Sequence, residues 1–210
     1  MSARAPESPA PLSAAAEEAR GWLALCGLLA GGSVLGWWAP TALLDWQPAR
    51  AAGEPWRFFT AAWVHWSEWH LTANLIGIGI VALLGAVARL PWRAALALAL
   101  AWPITHAGLL WQPALAHYGG ASGVLHAAVA VAACWLLIEG PGRRVRTIGV
   151  AIGAGLTIKV LLERPWAGPL ASSLAWDIAV APLAHASGAL AGVAAALAAY
   201  GFRFKERGAG

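Results

Sequence analysis

Long apolar segments alternate with short segments rich in glycine, proline or charge along almost the whole chain. A helix needs about 20 mostly apolar residues to cross a bilayer. Six segments approach that length and predict transmembrane helices, near 21–39, 69–88, 93–111, 121–138, 146–163 and 183–201. The pattern therefore predicts an all-α, polytopic membrane protein with one six-helix membrane domain over residues 21–201.

Composition supports the membrane as the surroundings of the chain. Hydrophobic residues make up 60% of the sequence and charged residues 11%, which leaves too little polar surface for a water-soluble globule. Polar residues concentrate in a tail at residues 1–20 and in a basic terminus at 202–210. The tail carries acidic residues rather than the short basic segment of a secretory signal, so we expect it to be retained.

The positions of lysine and arginine predict the orientation in the membrane. Of the 14 Lys and Arg residues, ten fall on one side of the six-helix arrangement, three on the other and one within a span. Because basic residues favour the cytoplasmic side, both termini are expected in the cytoplasm. The second, fourth and sixth helices then begin at the outer face. These short basic clusters lack interleaved aromatic residues, so membrane lipid is the expected partner and nucleic acid is not.

Two polar residues lie near the outer end of the second predicted helix. His70 and Asn74 are four residues apart, which puts them on one face of a helix. Both can donate hydrogen bonds to an oxyanion that develops during catalysis. The alternative is an interhelical hydrogen bond that joins this helix to a neighbour.

A serine flanked by glycines opens the fourth predicted helix. Gly120 and Gly123 let backbone approach Ser122 closely, and the first amides of a helix have no intrahelical partner. Such amides bind negative charge, so Ser122 could supply both a nucleophile and an oxyanion donor. The alternatives are a helix N-cap or a packing contact between small residues.

A histidine precedes a stripe of small residues on the sixth predicted helix. Gly188 and Gly192 allow a partner helix to come close, and His185 lies on the same side. The fourth helix, with Gly123 and Ala127, offers a suitably small surface. The alternative for His185 is a core histidine whose hydrogen bonds are satisfied.

The predicted orientation puts these polar groups in one shallow layer below the outer face. A nucleophilic serine needs an adjacent base and donors for the tetrahedral intermediate, and this layer can supply them. The nearest upstream carboxylate in the loop before His185 is Asp177, and none is adjacent. The sequence therefore predicts a Ser122–His185 dyad rather than a triad.

In this order the motifs resemble those of the rhomboid family of intramembrane serine proteases. The resemblance covers nearly the whole chain from about residue 21 and implies a six-helix rhomboid core. It implies that Ser122 is the nucleophile and His185 the general base. The oxyanion hole would consist of His70, Asn74 and the Ser122 amide. The residues that carry the resemblance are Trp56, Arg57, His65, His70, Asn74, Gly120, Ala121, Ser122, Gly123, Ala184, His185, Gly188 and Gly192.

The chain departs from the general family pattern at residues where it resembles the rhombosortase branch. Position 126 is His where many rhomboids carry an aromatic residue that packs on the catalytic histidine, and Lys159 and Glu163 are spaced i, i+4. This branch implies substrates with C-terminal Gly-Gly sorting tails, cut at the periplasmic face of the bacterial inner membrane. Alternatively, His126 only shapes the pocket, and Lys159 and Glu163 form an ion pair that supports the helix.

The remaining alternatives concern function and cofactors. A general rhomboid protease would cut other single-span substrates, and a rhomboid-like binding protein would cut none. A transporter or channel would spread polar groups through the membrane depth, whereas here they concentrate near one face. No haem is expected, because no two histidines other than those already assigned sit opposite each other at matching depth, and no zinc is expected, because the sequence lacks a His-Glu-x-x-His pattern. His106 and His117 have no assigned role. Trp56 and Arg57 are expected in a first loop that lies partly in the outer leaflet.

Overall fold

A computed structural model describes residues 12–172, 174 and 176–208. Its long helices are numbered α1 to α6 here. They are α1 Arg20–Gly36, α2 Glu68–Val87, α3 Trp92–Ala107, α4 Ser122–Glu139, α5 Gly142–Leu162 and α6 Pro182–Gly208. Within the described part of the chain, β-structure is limited to two isolated bridges, Trp46–Tyr118 and Ala171–Val180.

In the part of the chain that the structure describes, five helices are long and apolar enough to cross a membrane by length and composition. They are α2, α3 with its 3-10 extension to Trp111, α4, α5 and the Pro182–Ala199 part of α6. At 17 residues, α1 is apolar but shorter than the others. The predicted all-α, polytopic architecture is confirmed, and the protein is an integral membrane protein.

The ends of the membrane domain differ in detail from the predicted bounds. The first helix stops at Gly36, because the chain turns before Pro40 and then forms the short helix Thr41–Leu44. Part of the predicted polar tail, Leu12–Glu18, is helical, and residues 1–11 lie outside the described residues. At the other end, α6 continues to Gly208, so it includes most of the predicted basic terminus.

Local signals explain where the helices nearest the site begin. Ser67 caps α2, with its Oγ accepting the His70 backbone N–H at 3.0 Å. Proline is the first residue of α6, where a missing N–H costs nothing because the first helical amides lack partners anyway. Both helices therefore start at defined residues, which fixes the level of His70 and His185.

Helix α4 lies at the centre of the bundle and makes its closest contact with α6. Of its membrane window, 56% is buried, the largest share of the five spans. A side-chain carbon at Gly188 would overlap the Gly123 carbonyl, and one at Gly192 would overlap the Ala127 carbonyl. The glycine stripe of α6 thus faces α4 and lets the two backbones touch.

Helix α5 is far less enclosed. Only 11% of its window is buried, against 28–56% for the other four spans. Its buried residue is Gly149, which packs against the α4 backbone: a side-chain carbon there would lie 2.6 Å from the Leu137 amide nitrogen. Most of α5 is therefore available to lipid.

The first loop is organised around a buried arginine. Arg57 is fully buried and pairs with Asp45 and Glu54, and its guanidinium also donates to the Ala42 carbonyl at 2.8 Å. Pairing with two carboxylates offsets the cost of burying the charge. Trp56 is half exposed and donates its indole N–H to the Leu43 carbonyl at 3.1 Å. The Trp56-Arg57 pair thus builds the loop and does not reach the cavity described below.

Candidate active site

The turn that leads into α4 requires glycine. Gly120 has φ +131, a conformation that other residues rarely adopt, and a side-chain carbon there would lie 2.7 Å from His70 Nε2. The Tyr118 hydroxyl donates to the Gly120 carbonyl at 3.0 Å, and the Gly120 amide donates to Ala61 O at 2.9 Å. Ser122 follows as the first residue of α4, at a defined position.

Ser122 and His185 meet at the contact between α4 and α6. Ser122 Oγ lies 2.9 Å from His185 Nε2. His185 is in the first turn of α6 and is buried, whereas Ser122 is partly exposed. The two residues predicted to act together are 63 positions apart in the chain and within hydrogen-bond distance in the fold.

A carboxylate completes the arrangement on the far side of the imidazole. His185 Nδ1 lies 2.7 Å from Glu163 Oε2, and the other oxygen of Glu163 pairs with Lys159 Nζ at 2.6 Å. The expectation that His185 has no carboxylate partner is therefore wrong. Glu163 directly follows α5, and α5 ends at the level where α6 begins, which brings Glu163 next to His185. The two residues are 22 positions apart in the chain, so neighbouring sequence does not indicate the contact.

The carboxylate also determines which nitrogen of His185 carries the proton. An ionised carboxylate only accepts hydrogen bonds, so His185 Nδ1 is the protonated nitrogen and donates to Glu163. His185 Nε2 is then unprotonated and accepts from the Ser122 hydroxyl. This is the tautomer in which an imidazole can take a proton from serine.

Glu163 is ionised over the physiological range. Burial raises the pKa of Glu163, but its hydrogen bonds with His185 and Lys159 and their positive charge outweigh burial and lower the pKa to about 2. The carboxylate therefore keeps its negative charge beside the imidazole down to strongly acidic pH.

His126 forms a parallel stack with His185. The ring centroids are 4.1 Å apart and the ring planes differ by 9°. His126 Nδ1 donates to the Ser122 carbonyl at 2.7 Å, so its buried Nε2 is an unprotonated acceptor, with no partner among the described residues. The predicted departure at position 126 thus places an imidazole where it packs flat against His185.

Potential metal-ligand atoms of His126, Glu163 and His185 lie within 4.8 Å of one another. A metal ion binds an imidazole along the nitrogen lone pair, in the plane of the ring. One ion cannot lie in both ring planes of a parallel stack unless a ring rotates. The observed geometry therefore suits proton handling better than metal binding, and the absence of a metal stays a prediction.

His70 and Asn74, both on α2, line the same cavity as Ser122. His70 Nδ1 accepts the Trp66 backbone N–H at 3.5 Å, which leaves Nε2 as the nitrogen that carries a proton, next to Gly120. Asn74 Nδ2 donates to the His70 carbonyl at 2.9 Å and has a second N–H to offer. Both side chains are buried and can donate to a charge that develops beside Ser122.

These groups share one cavity of about 220 Å³. The connection between α5 and α6 forms part of its wall and is tied to α2, with Ser67 donating to Asp177 at 2.9 Å and the rings of Trp69 and Trp176 6.2 Å apart. Asp177, the carboxylate that the sequence placed nearest, is thus used here and does not pair with His185. The lining residues are His70, Ala73, Asn74, Ser122, Leu125, His126, Lys159, Glu163, Trp176, Val180 and His185.

Three other histidines lie outside the cavity. His65 packs beside His70, with ring centroids 4.8 Å apart, and burial, partly offset by a hydrogen bond with the Trp63 carbonyl, lowers the pKa of His65 to about 4. His106 Nδ1 donates to Phe58 O at 2.6 Å, and His117 Nδ1 pairs with Asp45 at 2.6 Å. His65 therefore stays neutral beside a site residue, whereas the last two hold the first loop.

The fold and this cavity define a polytopic helical membrane protein with a serine, a histidine and a carboxylate linked by hydrogen bonds at one end of the bundle. Residues 52–202, well over half of the chain, match the model of the Rhomboid domain. The chain belongs to the rhomboid family, whose members are generally serine intramembrane proteases that act on membrane proteins. A search of curated proteins gave no significant match.

Proposed function

We propose that this protein is an intramembrane serine endopeptidase in which Ser122 is the nucleophile and His185 the general base. The observation that carries the proposal is the 2.9 Å contact between Ser122 Oγ and His185 Nε2 in the cavity. Family membership supports the reaction class. A binding protein without activity would have no need for a serine aligned with an unprotonated imidazole nitrogen.

The proposed reaction is acyl transfer to serine. Ser122 Oγ attacks the peptide carbonyl while its proton moves to His185 Nε2. His70 Nε2–H, an Asn74 N–H and the Ser122 amide stabilise the oxyanion of the tetrahedral intermediate. The proton on His185 then passes to the leaving amine, and a water molecule hydrolyses the acyl-enzyme by the same steps in reverse order.

We place the cavity at the periplasmic side of a bacterial inner membrane, with both termini in the cytoplasm. The distribution of lysine and arginine supports this orientation, because in the arrangement predicted from the sequence ten of the 14 basic residues fall on the side opposite Ser122 and His185. The enzyme would then cut its substrates near the outer face of the bilayer, with the Trp56-Arg57 loop lying partly in the outer leaflet.

For the substrate we propose proteins with C-terminal Gly-Gly sorting tails, as in the rhombosortase branch. All three residues that suggested this branch, His126, Lys159 and Glu163, line the cavity. A cavity of about 220 Å³ with bulky lining residues such as Leu125 and Trp176 suits small residues at the cleavage site. The second candidate is a general rhomboid protease of other single-span substrates, which the family match supports equally.

The test is cleavage by the full chain reconstituted in liposomes, with a single-span substrate that carries a Gly-Gly tail. Ser122→Ala should abolish cleavage, because the nucleophile is lost. The matched control is Ser187→Ala on α6, whose hydroxyl donates to the Thr105 carbonyl outside the cavity and whose loss should leave cleavage within about twofold. Cleavage products are identified by mass spectrometry.

Two outcomes decide between the candidates. Cleavage that stops when the Gly-Gly motif is replaced by bulky residues supports the sorting-tail substrate. Equally efficient cleavage of single-span substrates without such a tail favours the general protease. Undiminished cleavage by Ser122→Ala contradicts the proposal as a whole.

A further inference from the structure

His185 contacts a carboxylate, that of Glu163, on the side of the ring that faces away from Ser122, and the proposed Ser122–His185 dyad assigns this carboxylate no role. His185 Nδ1 and Glu163 Oε2 are 2.7 Å apart, and the imidazole between Glu163 and Ser122 is buried. We propose that Glu163 is a positioning residue of the reaction and completes a Ser122–His185–Glu163 triad. This inference rests on the proposed function and concerns the same site.

The first part of the proposed role is to fix the reactive form of the base. In a neutral imidazole whose Nδ1 donates to a carboxylate, Nε2 is unprotonated, and Nε2 is the nitrogen that faces Ser122. Without the carboxylate, the other tautomer becomes accessible, and in that form Nε2 carries a proton and cannot accept one from serine.

The second part is electrostatic. During acylation the Ser122 proton moves to His185 Nε2 while the Nδ1 proton stays hydrogen-bonded to Glu163, so an imidazolium forms inside the cavity. Because His185 is buried, an adjacent negative charge stabilises the imidazolium more strongly than it would in bulk water. Glu163 supplies that charge without itself gaining a proton.

Lys159 holds the carboxylate in its orientation. Its Nζ pairs with Glu163 Oε1 at 2.6 Å, which leaves Oε2 directed at His185. The lysine side chain is half exposed, and Glu163 is one-quarter exposed. We therefore assign the i, i+4 pair a role beyond supporting the helix: Lys159 orients Glu163, and Glu163 orients His185.

The experiment compares Glu163→Gln, Glu163→Ala and Lys159→Met with the unmodified full chain. Glu163→Gln keeps the shape but removes the charge, and Lys159→Met removes the ion pair on α5 without touching His185. For each variant, kcat and KM are measured with the same substrate in liposomes. The rate of Ser122 labelling by a fluorophosphonate and the thermal midpoint are measured in detergent.

Both Glu163 variants should lower kcat and the labelling rate by roughly 100-fold or more, because the base loses its tautomer and its counter-charge. KM should stay within about threefold, since Glu163 does not bind the substrate in this account. The thermal midpoint should move little. Lys159→Met should lower kcat by less than about tenfold, because an exposed ion pair contributes weakly.

The inference is overturned if both Glu163 variants keep kcat within threefold. It is also overturned if they lose kcat only in parallel with thermal stability, since that pattern indicates a structural role. Failure of the proposed function gives a different result, in which the unmodified protein is not labelled at Ser122. Labelling that requires Ser122 and His185 but is unaffected by Glu163→Gln contradicts the triad alone.

Discussion

Two helix contacts position the elements that carry the cavity residues, and they are built differently. Helix α6 lies against α4 along Gly188 and Gly192, where no side-chain carbon fits between the backbones. Helix α5 packs on α4 around Gly149 and is otherwise mostly exposed to lipid. The first contact fixes the spacing of Ser122 and His185 by backbone packing. The second positions α5, a helix that is mostly exposed, and the Glu163 side chain extends from its end to His185.

This difference follows from what drives helix association in a bilayer. Lipid tails are as apolar as leucine, so helices associate through close packing and hydrogen bonds rather than through the hydrophobic effect. Backbone packs on backbone between α6 and α4 at Gly188 and Gly192, and between α5 and α4 at Gly149. At the cavity, Glu163 reaches His185 by a side-chain hydrogen bond. Substitutions in the α4–α6 contact, which sets the distance from Ser122 to His185, should therefore lower cleavage more than substitutions in the α5–α4 contact, which affects the distance from His185 to Glu163.

The largest effect should come from breaking the tighter contact. Gly188→Val places a branched side chain against the Gly123 carbonyl, which forces α6 away from α4. We expect a loss of cleavage of about 1,000-fold or more, because the serine loses its base. We also expect destabilisation on the order of 3 kcal/mol from overpacking. Cleavage and thermal unfolding in the same detergent measure the two effects.

The control for that variant is Gly155→Val on α5, because nothing lies within 4 Å of a side-chain carbon at Gly155. It should leave cleavage and the thermal midpoint close to those of the unmodified protein. Near-normal cleavage by Gly188→Val would mean that the backbone contact of α4 and α6 does not set the spacing of Ser122 and His185.

A smaller effect is expected from loosening the second contact. Gly149→Ala adds a carbon 2.6 Å from the Leu137 amide nitrogen, 14 residues before Glu163, and should tilt α5 against α4, which changes the reach of Glu163 to His185. We expect cleavage to fall about tenfold. Combined with Glu163→Gln, it should cause almost no further loss, because both changes remove the same hydrogen bond.

That double-mutant comparison uses kcat for the two single variants and the pair. Multiplied losses in the double variant would show that Gly149 affects cleavage by a route that does not include Glu163. The expected result, a loss no greater than that of Glu163→Gln alone, links the position of α5 to the carboxylate.

Much of the fold was predictable, because bilayer-length apolar runs are a strong local signal. The meeting of Ser122 and His185 followed from two features that sequence also carries, the depth of each residue and the small-residue stripe on α6. Both depend on helix ends and side-chain size, which are local properties.

Glu163 was missed as the partner of His185 for a physical reason. Its spacing from Lys159 offered a complete local explanation, and the contact with His185 depends on how the 164–181 connection returns the chain. The same depth argument that joined Ser122 to His185 applies to Glu163, which follows α5 at the end of the bundle that holds Ser122. His106 and His117 have no role predicted from the sequence, because their hydrogen-bond partners, Phe58 and Asp45, are in the first loop. The spacing of residues along a helix does not predict where a loop residue lies.

The central claim is that His185 activates Ser122, and labelling by a fluorophosphonate tests it most directly. Such a reagent bonds covalently only to an activated serine and needs no knowledge of the substrate. Applied to the full chain in detergent, it should modify Ser122 and no other serine, and His185→Ala should reduce the labelling rate by about 1,000-fold or more. Labelling that persists in His185→Ala, or that never occurs at Ser122, would contradict the account.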